Sequence, residues 1–167
     1  MSRFARQWTW LALLASAALL GVAHAFETFG HLAPCELCLK QRDVYWVAIA
    51  IAVAGLVWRS LACGRDPTRW INAVLALAFL VETGVAVYHA GVEWKFWPGP
   101  AACTGGAMRV DPAAIQRLLA GARMSVPQCD KPAWVFLGLS MAGWNAVAAF
   151  ALTALSGLAA AKPGPSR

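Results

Sequence analysis

The sequence predicts an all-α membrane protein, a four-transmembrane-helix bundle with a long outer loop that contains a short interfacial helix. Three observations carry that expectation. Of the 167 residues, 60% are hydrophobic and only 13% charged, against roughly 25% charged in an ordinary soluble domain. A soluble fold of this size has too high a surface-to-volume ratio to hide so much apolar surface, and a chain with so much to bury does not stay disordered. Four stretches also approach or reach the roughly 20 apolar residues that a helix needs to cross a bilayer. Finally, the net charge of +6 is spread in short clusters between those stretches, as orientation in a membrane requires. No basic face or run is concentrated enough for nucleic acid.

The predicted spans, in order, are about 8–26, 44–62, 70–89 and 141–161, within a single integral membrane domain covering 1–167. The first contains no charge, and the third is interrupted only by Asn72 and Glu82. A barrel is not expected, because it needs at least eight strands of alternating pattern. Arg3 and Arg6 at the start, Arg59, Arg65 and Arg69 in the second connection, and Lys162 and Arg167 in the tail put both termini and the middle connection in the cytoplasm. Segments 27–43 and 90–140 then lie outside. Arg3, Arg6, an apolar run and Ala23-His24-Ala25 also resemble a secretory signal peptide, but the run exceeds the ~7–15 residues usual there. It is read as a retained anchor.

In the long outer loop, Asp111 followed by Pro112 reads as an N-cap with proline at the first helical position. Ile115, Leu118, Leu119 and Ala122 follow at helical spacing, so a short amphipathic helix is expected, lying on the membrane or on the loop's own residues.

The cysteines divide unequally on this topology. Cys35, Cys38, Cys103 and Cys129 fall on the outer side, where disulfides persist in bacteria, and Cys63 falls on the reducing side as an inert thiol. A Cys103–Cys129 bridge would be a staple worth about 3 kcal/mol. So short a loop as Cys35-Glu36-Leu37-Cys38 gains little from closure and is strained, which makes a disulfide there easier to reduce. Zinc would want a second close pair or histidines, and haem attachment a histidine where Leu39 stands. Redox chemistry is favoured over metal or structure, and four cysteines leave three pairings open. If the chain turns helical after Pro34, Cys38 lies three residues from Cys35 and Arg42 one turn further on the same face. An arginine there would favour a thiolate, whereas Glu36 and Asp43 would repel one.

These residues resemble the bacterial disulfide bond formation protein B (DsbB) family of inner-membrane thiol oxidases. The match rests on Pro34-Cys35-x-x-Cys38-x-x-x-Arg42, on Cys103 and Cys129 at their separation, and on the stretch from Trp134 to Met141 before the last span. The order of the cysteines separates the chain from the vitamin K epoxide reductase-like class, where the loop pair precedes the CxxC. The resemblance implies that a reduced DsbA-like thioredoxin-fold oxidase in the periplasm attacks a Cys103–Cys129 disulfide, with Cys103 forming the mixed disulfide. It further implies that Cys129 exchanges with Cys35, and that Cys38 faces ubiquinone (or menaquinone) drawn from the membrane pool. Catalytic roles are thereby expected for Cys35, Cys38, Cys103, Cys129 and Arg42, and quinone contacts for Cys38, Arg42 and His89.

Glu82 has no counterpart in that resemblance. An intramembrane carboxylate is functional or paired by default, and proton delivery to the quinone is the functional option. The Glu36-Leu37 interior, the stretch Tyr88–Trp94 and the turn after Cys103 suggest a divergent branch. The competing reading is a non-enzymatic four-helix membrane protein with structural or metal-binding outer cysteines.

Overall fold

The computed structural model describes residues 3–62, 66–100 and 128–161. Its described elements are α1 (Arg3–Thr28), α2 (Glu36–Leu61), α3 (Thr68–Glu93), a hairpin of β1 (Val135–Phe136) and β2 (Leu139–Ser140), and α4 (Met141–Ala161). All four helices are long and apolar enough to cross a membrane. The expected interfacial helix around 111–122, with Cys103 and Cys63, lies outside the described residues.

The helices run up and down. Arg6 and Arg59 meet at one end through a guanidinium-to-carbonyl bond of 2.9 Å, and Cys35, Glu93 and Ser140 gather at the other. α3 is the central element, packing most extensively on α4 and next on α2. Each helix buries a narrow stripe. In α2 it is Leu37, Gln41, Tyr45, Ala48, Ala52 and Gly55, spaced three or four apart, as one face of a 3.6-residue turn demands. The small members of that stripe allow close approach, because a Cβ added at Gly55 would stand 2.6 Å from Cγ2 of Ile71. Small residues at such seams are how membrane helices gain packing without a hydrophobic driving force. The opposite faces stay apolar and exposed, with Leu14, Leu77 and Phe150 at 62–65%, which is the surface that lipid requires.

Polar side chains inside the bundle pair across helices. The Trp8 indole donates to Ser156 at 2.8 Å, Thr9 donates to Asn72 at 3.1 Å, and Asn72 donates to the Ala5 carbonyl at 3.0 Å. Glu82, fully buried, accepts from the Asn145 amide at 2.7 Å, and the Asn145 carbonyl oxygen accepts from the Tyr45 hydroxyl at 2.6 Å. One oxygen of the carboxylate singled out in the sequence is thus paired, while Oε2 is buried without a hydrogen-bond partner among the described residues. The amide between Glu82 and Tyr45 offers no simple proton hop, so the arrangement supports a structural role. We expect Glu82→Leu to cost about 1–3 kcal/mol by stranding the Asn145 amide. Glu82→Gln, whose carbonyl accepts the same bond, should cost much less. Unfolding in detergent compares the two, and equal losses would show that charge, not the hydrogen bond, matters.

The hairpin precedes α4. Val135 pairs with Ser140 and Phe136 with Leu139, and the turn residues Leu137 and Gly138 both have positive φ, 50° and 80°. That is the backbone of a type I′ turn, which matches strand twist and favours glycine. The Trp144 indole donates to the Phe136 carbonyl at 3.0 Å, which folds the hairpin onto the first turn of α4.

Candidate active site

Pro34 ends the connection from α1, and Cys35 caps α2. Its backbone is extended (φ −79°, ψ 171°) and its sulfur accepts the Cys38 N–H at 3.3 Å. This is the job serine or aspartate usually does at an N-cap. Capping aims the Cys35 side chain back over the first turn, so the two Sγ atoms lie 2.9 Å apart as free thiols. The helical start expected after Pro34 is therefore present. Hydrogen bonding to Cys38, then burial, push the Cys35 thiol well above the ordinary range. Alkylation with limiting iodoacetamide near neutral pH should accordingly label Cys38 before Cys35, and peptide mass mapping would read the order.

The end of α3 walls the site. His89 Nε2 lies 3.6 Å from Cys35 Sγ, and Leu37 and Val92 pack around the sulfur. Cys129, almost fully buried, packs there too and is disulfide-bonded. The Cys35 sulfur, the Cys129 sulfur and a His89 ring nitrogen all lie within 4.8 Å of one another. Three such groups could hold a soft metal ion as thiolates and imidazole, but a cysteine in a disulfide supplies no thiolate. Exchange between neighbouring sulfurs is the chemistry this arrangement favours. Cys103 lies outside the described residues.

Arg42 sits where its spacing from Cys38 puts it, on the wall of the same cavity. Its guanidinium is engaged with α1, donating to Glu27 Oε2 at 2.5 Å and to the Ala23 carbonyl at 3.1 Å. Glu36 forms an exposed pair with Lys40 at 3.1 Å, so the repulsion expected from it is met by a neighbouring ammonium.

The cavity has a volume of about 790 Å³ and is lined from α2 by Cys35, Cys38, Gln41, Arg42 and Tyr45. His89 and Glu93 face it from α3, and Phe26 and Trp134 form an aromatic wall with ring centroids 5.3 Å apart. Gln41 Nε2 and His89 Nδ1 are buried without a hydrogen-bond partner among the described residues. Two unsatisfied polar nitrogens in a largely apolar cavity of this size are what a ligand site offers.

Several contributors escaped the sequence reading. Gln41 stands three residues after Cys38 and Glu93 four after His89, so helical spacing could have found both. Glu27 pairs with Arg42 across a connection and leaves no local signal. Lys95, with φ at 63°, reaches from the end of α3 to the carbonyl of Asp130 at 2.7 Å and to its carboxylate at 2.5 Å. That clamp holds the segment bearing Cys129 over Cys35, and the Lys95 ammonium keeps the Asp130 carboxyl below the usual range.

Fold and site together define a class: a protein of four membrane-length helices that holds a CxxC dithiol beside a disulfide-bonded cysteine. The family model described as Disulfide bond formation protein DsbB matches residues 5–159, and the chain belongs to that family. It is similar to Disulfide bond formation protein B of Dechloromonas aromatica, at 35% identity over 84% of this chain and 82% of the relative. It is also similar to the proteins of that name from Hahella chejuensis, at 29% over 87% of each chain, and Aromatoleum aromaticum, at 33% over 78% and 77%. No solved structure matches. The chain is a membrane protein of disulfide bond formation.

Proposed function

We propose that this protein is a quinone-dependent thiol oxidase of a bacterial inner membrane that reoxidises a periplasmic DsbA-like partner. Electrons enter at a Cys103–Cys129 disulfide, with Cys103 taking the partner's sulfur. They pass from Cys129 to Cys35 and leave through Cys38 to ubiquinone or menaquinone. Both termini lie in the cytoplasm, an orientation supported by the arginines at the opposite end from the cysteines. The observation that carries this reading is the Cys35–Cys38 dithiol opening onto a largely apolar cavity while the disulfide-bonded Cys129 stands against Cys35.

The residues present fit a quinone. The cavity volume suits a ring and the start of an isoprenoid tail, and Gln41 Nε2 and His89 Nδ1 lack partners among the described residues, as donors for two carbonyl oxygens would. Arg42, Gln41 and His89 would hold the ring beside Cys38. When bound, the quinone supplies an acceptor for the two electrons and two protons that a dithiol loses on becoming a disulfide. Arg42 contributes a charge that cannot be discarded, and the aromatic wall of Phe26 and Trp134 excludes water. A lipid-soluble acceptor is reached only at the bilayer, which is why the CxxC begins a membrane helix.

The test is oxidation of a reduced thioredoxin-like dithiol by the purified full chain, with and without a soluble ubiquinone analogue. Turnover that depends on quinone and is lost in Cys103→Ser is expected. Oxidation indifferent to both would overturn the proposal and send attention to bound metal.

A further inference from the structure

Cys35 holds its proton tightly and is nearly buried, yet it must exchange with Cys129, so a base in contact with it is needed. We propose that His89 is the acid–base residue of Cys35 and that Glu93 is the positioning carboxylate that keeps His89 in that role. This deepens the thiol-oxidase reading and rests on it.

The geometry is a chain of contacts. His89 Nε2 is 3.6 Å from Cys35 Sγ and 3.9 Å from Glu93 Oε1. The other Glu93 oxygen accepts from the Ser140 hydroxyl, whose oxygen in turn accepts the Gly143 N–H at 3.0 Å. Ser140 thus caps α4 and aims its proton at Glu93, locking the carboxylate against rotation. Both Glu93 and His89 side chains are 6% exposed or less, so an imidazolium formed here has Glu93 beside it rather than solvent.

The step balances within this chain. In the direction of turnover, the thiolate of Cys129's own disulfide partner re-forms its bond to Cys129 as the Cys35–Cys129 bond breaks. Cys35 leaves with the electron pair and takes a proton from the His89 imidazolium at Nε2, which becomes neutral. In the microscopic reverse, the Cys35 thiol gives its proton to Nε2, its sulfur attacks Cys129, and the partner leaves as a thiolate. Glu93 acts by stabilising the imidazolium, not by touching sulfur. Among the described residues, the other titratable or charged groups lining this cavity are Cys38, Arg42 and Tyr45 from α2, and His31 and Lys131 from the connecting segments.

The test is the rate of Cys35 alkylation by iodoacetamide, read by peptide mass mapping, in quinone-free full chain carrying Cys38→Ala, Cys103→Ala and Cys129→Ala so that no disulfide occupies Cys35, measured between about pH 5 and about pH 8. His89→Gln should slow it by about tenfold or more and flatten the pH profile. Glu93→Gln should slow it by about tenfold, the equivalent of one pH unit of lost imidazolium stabilisation. Glu93→Asp should restore part of the rate, and it replaces Glu93→Gln should that variant fail to fold. A carboxylate acting only as a neighbouring negative charge has the opposite sign, since its removal would make Cys35 more reactive. Unchanged or faster alkylation in Glu93→Gln, or an unchanged profile in His89→Gln, overturns the assignment. Quinone-dependent turnover of the wild type is read separately. Slowed alkylation in both variants beside a wild type without quinone turnover supports the assignment and sinks only the electron acceptor.

Discussion

Serine at position 38 is expected to leave the bundle folded and to reduce quinone-linked dithiol oxidation by at least about a thousandfold, the scale on which removal of a covalent participant acts. Cys38 is only partly buried and gives its N–H to the Cys35 sulfur. A serine keeps that backbone bond, so the N-cap survives. What is lost is the second sulfur 2.9 Å from Cys35: a hydroxyl neither closes a disulfide nor forms a thiolate near neutral pH. Without that sulfur Cys35 cannot form the disulfide that Cys129 would reduce; its thiol can only exchange with the disulfide holding Cys129, and chains with Cys35 bonded to Cys129 should accumulate. Steady-state turnover together with disulfide mapping under non-reducing conditions checks both halves. Retention of more than a tenth of the turnover would place the electron exit elsewhere.

Arg42→Met should raise the KM for a soluble ubiquinone analogue by about tenfold to a hundredfold while affecting kcat less. Hydrogen bonds to charged groups are worth about 1.5–3 kcal/mol, and each 1.4 kcal/mol is about tenfold in affinity. The substitution removes a cation from the cavity wall and cuts the tie from α2 to Glu27 and the Ala23 carbonyl. Arg42→Lys should recover little, because an ammonium cannot make both bonds with the fork geometry of a guanidinium. An unchanged KM in Arg42→Met would show that the arginine serves only the α1–α2 contact. Salt dependence of the wild-type KM offers no substitute, since the guanidinium is largely shielded from solvent.

The two variants probe parts of the site that differ in how legible they were. Cys35 and Cys38 declare themselves by spacing, and proline before them announces the helix start. Arg42 declares its face but not its partner. Helical arithmetic puts it one turn from Cys38; the structure engages it with Glu27, because the last turn of α1 ends beside the first turns of α2. His89 was expected at the quinone through resemblance alone, and the tertiary structure adds the contact between its Nε2 and Cys35. Glu82 was legible as an oddity, a carboxylate inside a span, and only packing revealed the Asn145 amide that pairs with one of its oxygens.

What the sequence determined by itself is the set of elements and their chemistry: four membrane-length helices, a redox-competent CxxC at the start of the second, and the order of the cysteines. These are legible because lipid acts as a solvent on each stretch independently and because backbone hydrogen bonds must close within each helix. What only the tertiary structure decided is which side chains meet: His89 with Cys35, Glu93 with Ser140, Arg42 with Glu27, and Lys95 with Asp130. Those meetings depend on the rotation and depth of each helix against its neighbours. Rotation and depth are set by shape, such as the Ala48–Ala52–Gly55 seam that lets α2 approach α3, and shape belongs to no single stretch of the chain.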